Sequence, residues 1–243
     1  MADTLSGKVA IVTGSSTGIG AAIVRELSSR GAHTVITYES PAQKAAADVL
    51  ATSLPTPATA VLADMSQIEA PKQLVEVALA NWKRIDILVN CVGVAVNKPF
   101  EEQTLEDWDL LVNLNGRGTF LMTQAVLPHL TKNTGRIINI ASTIDAGTKG
   151  MIESFTKCWA RELPPKYGCT VNSVSPGPPR TGSFAAAGEE QMKILQPIID
   201  QTPVGARMVE PDEIAYAVAF LAEERARWMN GVHLVASGGL FID

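Results

Sequence analysis

Val9-Ala-Ile-Val-Thr-Gly-Ser-Ser-Thr-Gly-Ile-Gly20 decides the fold. Val9 to Thr13 is a continuous run without charge, the pattern of a parallel strand buried on both faces. Glycines at 14, 18 and 20 follow where the chain turns from strand into helix. Bare backbone there lets a pyrophosphate approach and rest at the positive helix end. The helix, Ile19 to Arg30, carries Ile19, Ile23 and Leu27 at helical spacing and stops before Gly31.

Outward from this unit the same alternation continues. Strands are expected at Thr34 to Thr37, Thr59 to Ala63, Ile85 to Val89, Arg136 to Ile140, Thr170 to Val174 and Val232 to Val235. Helices are expected from Ser40-Pro41, at Pro71 to Trp82, over Leu105 to Leu130, from about Ala146 to Tyr167, and at Glu210 to Ala222. No composition break, repeat or low-complexity linker divides the chain. The handedness rule for βαβ units then predicts an α/β fold: one Rossmann-type domain over 1–243, a doubly wound parallel sheet with helices on both faces. The least regular stretch, Ser175 to Met208, opens with Pro176-Gly-Pro-Pro179 and holds a weak helix near Glu189 to Asp200. Lying after a strand's carboxyl end, it reads as a substrate lid. Its Met192, Leu195, Ile198 and Ile199 either line an apolar pocket or pack the lid down.

Hydrophobic residues make up 46% of the 243 positions and charged residues 19%, which suits a globular core. Twenty basic and 25 acidic side chains leave a net charge of −5, without the basic footprint of a nucleic-acid binder. No segment reaches 18 consecutive apolar residues, so no membrane span is expected. The first residues show no charged-then-apolar signal pattern. Cys91, Cys158 and Cys169 are too few and too scattered for a disulfide framework or a zinc site, and no metal is expected. A reducing cytoplasm follows as the expected location. His33, His129 and His233 read as surface or helix-end residues. Met151, Phe155, Cys158 and Trp159 form a stripe at helical spacing, read as core packing.

The spacing T-G-x-x-x-G-I-G, together with motifs further along, resembles the short-chain dehydrogenase/reductase family over essentially the whole length. Leu88-Val-Asn-Cys-Val-Gly93 is similar to the family's N-N-A-G. Asn115 lies in Asn113-Leu-Asn-Gly-Arg-Gly-Thr-Phe120, and Ser142 ends the fifth strand. Thr148-Lys149 precedes a helix, Pro176-Gly177 follows the sixth strand, and Gly238-Gly239 follow the last. Arg117-Gly-Thr-Phe and the lid resemble fungal ketoreductases and hydroxynaphthalene reductases. The resemblance implies a nicotinamide cofactor. Gly14, Ser16, Gly18, Ile19 and Gly20 would lie along its phosphates, with Asp64 at the adenine and Asn90 near the adenosine ribose. Gly93, Pro176 and Gly177 would shape the pocket, and Thr181 would contact the nicotinamide amide. Tyr38 stands where NAD-dependent members carry Asp, and Tyr38, Ser40 and Ser16 could donate to a 2′-phosphate, so NADP(H) is favoured over NAD(H). Glu39 opposes this as a nearby acid. The resemblance also implies a homodimer or homotetramer, built through the Leu105–Leu130 and post-Lys149 helices.

The family's catalytic set is Asn, Ser, Tyr and Lys: a proton donor beside the oxygen that gains charge, and a lysine holding the ribose. Asn115, Ser142 and Lys149 match; the tyrosine does not. Asp145 stands four residues before Lys149, and only Thr143 and Ile144 separate it from Ser142. A carboxyl of ordinary pKa is ionised at neutral pH, and a neighbouring ammonium lowers that pKa further. Asp145 would equally serve as an N-cap, or pair with Lys149 at i, i+4. Two functions therefore stand side by side. One is an NADP(H)-dependent oxidoreductase of ketoreductase type on a hydrophobic small-molecule substrate, as in secondary metabolism, using water or Arg117 as donor. The other is a non-redox cofactor-binding enzyme, such as a cyclase, or a scaffold.

Overall fold

The computed structural model describes residues 3–96, 98–143, 147–182 and 188–242. Seven strands form one parallel sheet: β1 (Val9–Val12), β2 (His33–Tyr38), β3 (Ala58–Leu62), β4 (Ile87–Asn90), β5 (Gly135–Ile140), β6 (Cys169–Pro176) and β7 (His233–Ala236). Their spatial order is β3-β2-β1-β4-β5-β6-β7. The order reverses between β1 and β4, which pair in register Ala10 to Ile87 and Val12 to Val89. In sheets of this kind, ligands bind outside the carboxyl ends at that reversal.

The inner strands β1, β4, β5 and β6 are buried throughout because helices cover both faces of the sheet. One core joins α1 (Gly18–Ser29), α2 (Lys44–Ser53) and the late helix α9 (Pro211–Ala222) to the sheet through Ile23, Leu27, Leu50, Ile214 and Val218. The other joins α3 (Ala70–Trp82), α5 (Gly118–Val126) and α6 (Thr148–Glu162) through Leu74, Met122, Val126 and Ala160. The expected helix over 105–130 is α4 (Leu105–Leu111), a π-helical turn at Val112–Arg117, then α5. The expected helix after 146 is α6 and a short α7 (Pro164–Tyr167), separated where Pro164-Pro165 remove two backbone donors. In the lid region, α8 (Gly188–Ile199) is the anticipated helix.

Three expectations are corrected. Of the stripe Met151, Phe155, Cys158, Trp159, only Trp159 packs against the core, from its edge; the buried residues of α6 are Lys149, Ile152, Thr156 and Ala160. Phe155 stacks on Trp159 at 4.9 Å between ring centres, and Phe120 of α5 tilts against both. This aromatic cluster reaches the surface, where Phe120 is 41% exposed. Two histidines are also not simple surface groups. His33 stacks on Trp82, and His233 Nε2 lies 2.6 Å from Ser175 Oγ and 3.4 Å from Glu153 Oε1. Among the described residues no helix is long and apolar enough to cross a membrane.

Candidate active site

A crevice of about 550 Å³ runs along the carboxyl ends of β1, β2, β4, β5 and β6. Its floor is the glycine loop, whose shape the neighbours dictate. Gly14 has φ +62, and a Cβ there would stand 2.9 Å from Val92 Cα. Gly18 has φ +58 and faces the Thr181 methyl. Gly20 allows α1 to start against the loop itself: a Cβ would lie 2.3 Å from Gly14 O and 2.7 Å from Ser15 Cα. Thr13 Oγ1 accepts from the backbone N–H groups of Cys91 (3.0 Å) and Val92 (3.2 Å), fixing the β4 loop beside the glycines. Gly14 N donates to Thr37 Oγ1 at 2.7 Å, fixing β2. The bare backbone and the helix start match the needs of a dinucleotide pyrophosphate.

At the β5 end, Ser142 and Lys149 both line the crevice. Thr143 holds the strand's extension, donating from its N–H and its hydroxyl to Pro176 O. Lys149 is buried, and its Nζ donates to Ile140 O at 2.9 Å. Gly93 makes room for it: a Cβ there would be 2.6 Å from Lys149 Nζ and 3.4 Å from Asn115 Oδ1. Asn115 sits in the π-helical turn, a form that often marks functional positions. Its Oδ1 accepts from Val94 N (3.0 Å), and its Nδ2 donates to Val94 O and Thr148 Oγ1 (both 2.9 Å). It thus ties the β4 loop to the head of α6. Asp145, expected near the proton-donor position, lies outside the described residues.

At the β2 end, Ser16, Tyr38, Glu39 and Gln43 line the crevice. Ile19, Pro176, Gly177 and Thr181 complete the predicted lining, with Leu195 of α8 above them. Of the lid residues in question, Leu195 and Ile199 are buried. Sequence reasoning did not single out Gln43, Met65, Val94 and Ala95, apolar or amide groups without a motif to mark them, nor Val92 and Pro179 within the motifs that contain them.

Four residues weighed from the sequence fall elsewhere. Asn90 is turned into the sheet, donating from Nδ2 to Asn139 Oδ1 (2.8 Å) and Thr123 Oγ1 (3.0 Å). It is 2% exposed and does not line the crevice. Neither does Asp64, whose carboxylate accepts from Ser66 N and Gln67 Nε2. Partial burial opposes its ionisation, but those hydrogen bonds prevail and hold it below the usual carboxylate range. Ser40 caps the turn Pro41–Gln43 by position, outside the lining. Arg117 donates from Nη2 to Ser66 O at 2.7 Å and does not reach the crevice, so it is not placed as a proton donor.

The tyrosines do not replace the missing one. Tyr38 is at the β2 end, Tyr167 ends α7, and Tyr216 is exposed on α9 beneath the Arg30 guanidinium. Cys91 also lines the crevice with Lys149. Burial pushes its thiol up to about 11, against the pull of the Lys149 charge. Burial does the same at Cys169. Maleimide at neutral pH is therefore expected to modify exposed Cys158 first, with Cys91 and Cys169 lagging, as read by mass spectrometry. The folded thiols keep protons that the unfolded chain releases near pH ~8.5. Their stabilising contribution is whole below that value and is lost as pH rises towards about 11, visible as a falling melting temperature.

The comparisons agree with this architecture. A family model described as enoyl-(acyl carrier protein) reductase matches residues 14–241. The short-chain dehydrogenase/reductase FrzI of a Cladobotryum species is 38% identical over 252 aligned positions, covering 98% of this chain and 97% of its own. A hydroxynaphthalene reductase-like protein of Metarhizium anisopliae is 35% identical, covering 97% and 96%. A blue fluorescent protein from a metagenomic library, solved in complex with NADPH, superposes with a TM-score of 0.89 at 35% identity, covering 98% and 100%. An alignment of 252 positions against a chain of 243 leaves at least nine positions of FrzI without a counterpart here (252 − 243). Glycine loop, strand order, the Asn115–Ser142–Lys149 set and these matches together identify the chain as a member of the short-chain dehydrogenase/reductase family, an oxidoreductase fold built around a nicotinamide cofactor.

Proposed function

We propose that the protein is an NADP(H)-dependent reductase of ketoreductase type, acting on a hydrophobic carbonyl substrate in secondary metabolism. The observation that carries this reading is the convergence of Ser142 and Lys149 on one crevice with the glycine loop. The bound nicotinamide supplies the hydride. Ser142 donates its hydroxyl to the substrate carbonyl and orients it. Lys149 would place its positive charge beside the oxygen that becomes negative and would hold the cofactor ribose. Asn115 positions Lys149 by holding Val94 and Thr148. With no tyrosine at this end among the described residues, water reaching Ser142 delivers the proton. Glycine-loop backbone, Ile19 and Thr181 would hold the phosphates and amide, and Ser16 and Tyr38, which line the same crevice, would meet the adenosine 2′ substituent.

The NADPH complex of the metagenomic protein supports the cofactor choice. Leu195 and Val94 would make the substrate end apolar, and the segment 175–208 is the proposed lid. The exposed aromatic face of α4 to α6, with Trp108 62% exposed, suits a homodimer or homotetramer. The test is NADPH consumption against a panel of cyclic aromatic ketones, with the alcohol quantified. Stoichiometric reduction is expected, and Asp145→Tyr should raise the rate by about tenfold or more, because general acids contribute about 10²–10⁴. Cofactor binding without turnover on any ketone would overturn the reductase reading in favour of a non-redox role.

A further inference from the structure

Gln43 joins three parts of the crevice wall. Its Oε1 accepts from the backbone N–H of Glu39 at 3.0 Å and from Ser16 Oγ at 3.4 Å. Its Nε2 donates to Glu39 Oε1 at 3.1 Å. Ser16, Glu39 and Gln43 all line the crevice. Among the described lining residues, Glu39 is the one carboxylate, and Lys149, the one ammonium, stands at the opposite end. A carboxylate at the end of the second strand accepts from an adenosine 2′-hydroxyl and repels a 2′-phosphate. Left to itself, Glu39 would therefore favour the unphosphorylated dinucleotide.

We propose that Gln43 sets the cofactor preference through Glu39. Its amide engages Glu39 Oε1 and pins the Glu39 backbone, which holds the carboxylate turned towards Gln43 rather than towards the ribose. Gln43 is a positioning residue: Glu39 is the group whose charge the 2′ substituent meets. This rests on the NADP(H) reading above, but the two fail separately.

The test is a double-mutant cycle in the whole protein, with Gln43→Ala, Glu39→Ala and the pair. NADPH and NADH affinities are read by nicotinamide fluorescence. Taking their ratio cancels any general loss of folded protein. Gln43→Ala is expected to lower the NADPH-to-NADH affinity ratio by about three- to tenfold, the scale of one hydrogen bond to a charged group. Glu39→Ala is expected to raise the ratio, and on that background Gln43→Ala should no longer lower it. An unchanged ratio in Gln43→Ala, or a drop of the same size with Glu39 absent, overturns the proposal. Tighter NADH binding by the unaltered protein would overturn the NADP(H) reading alone, since the coupling between Gln43 and Glu39 is still measured by the cycle.

Discussion

Lys149→Met is expected to reduce turnover by about 10²–10⁴-fold and to weaken cofactor binding by about 10–100-fold. Lys149 is the one ammonium among the described residues of the crevice, on the buried face of α6, with its Nζ 2.9 Å from Ile140 O. Gly93 is bare where that ammonium passes. Methionine fills nearly the same volume, so the core face that continues through Ile152 and Thr156 keeps its packing. The substitution leaves Ile140 O without this donor, at a cost of about 1–3 kcal/mol, while removing the expense of burying a charge. Thermal unfolding should therefore move little compared with activity. Fluorescence titration and steady-state rates measure the two losses separately. Retention of both binding and turnover would remove Lys149 from the site.

Gly20→Val has the second large effect, and its origin is steric. A Cβ at this position meets Gly14 O at 2.3 Å, Ser15 Cα at 2.7 Å and Gly14 C at 2.9 Å. All three are backbone atoms, so no side chain can swing aside. The loop must open, carrying with it the Gly14 N–H held by Thr37 and the Ser15 hydroxyl bonded to Val12 O. Cofactor affinity is expected to fall by more than about 100-fold, and stability by about 1–3 kcal/mol, the usual range for overpacking a tight site. Gly150→Ala is the matched control, since a Cβ there meets nothing within 4 Å among the described residues. It replaces glycine inside α6 and should leave binding unchanged while adding about 0.5–1 kcal/mol of stability. Chemical denaturation and the same titration check both variants.

The contrast between these sites and the misplaced residues shows what the sequence carries. The strands and the glycine loop were legible because burial on both faces leaves uninterrupted apolar runs, and a turn against a helix start leaves glycines. Ser142 and Lys149 were legible because the motifs around them resemble the family's catalytic set. Asn90, which the family resemblance puts near the adenosine ribose, is turned into the sheet, where Asn139 and Thr123 satisfy its amide, a contact that no sequence pattern marks. The aromatic stripe of α6 misled because periodicity gives a face, not what the face meets. Lys149, Ile152, Thr156 and Ala160 have similar spacing, and they face the sheet. Gln43 left no signal at all. Its role depends on a turn that returns its amide to Glu39 and Ser16, and such a contact has no spacing pattern.

The most direct test of the account is a fluorescence titration of the whole protein with NADPH and, in parallel, NADH. Saturable binding of NADPH, tighter than that of NADH and lost in Gly20→Val, is the predicted result. Failure of both dinucleotides to bind would contradict the account, because the crevice formed by the glycine loop, Gly93 and Lys149 would then not be a cofactor site.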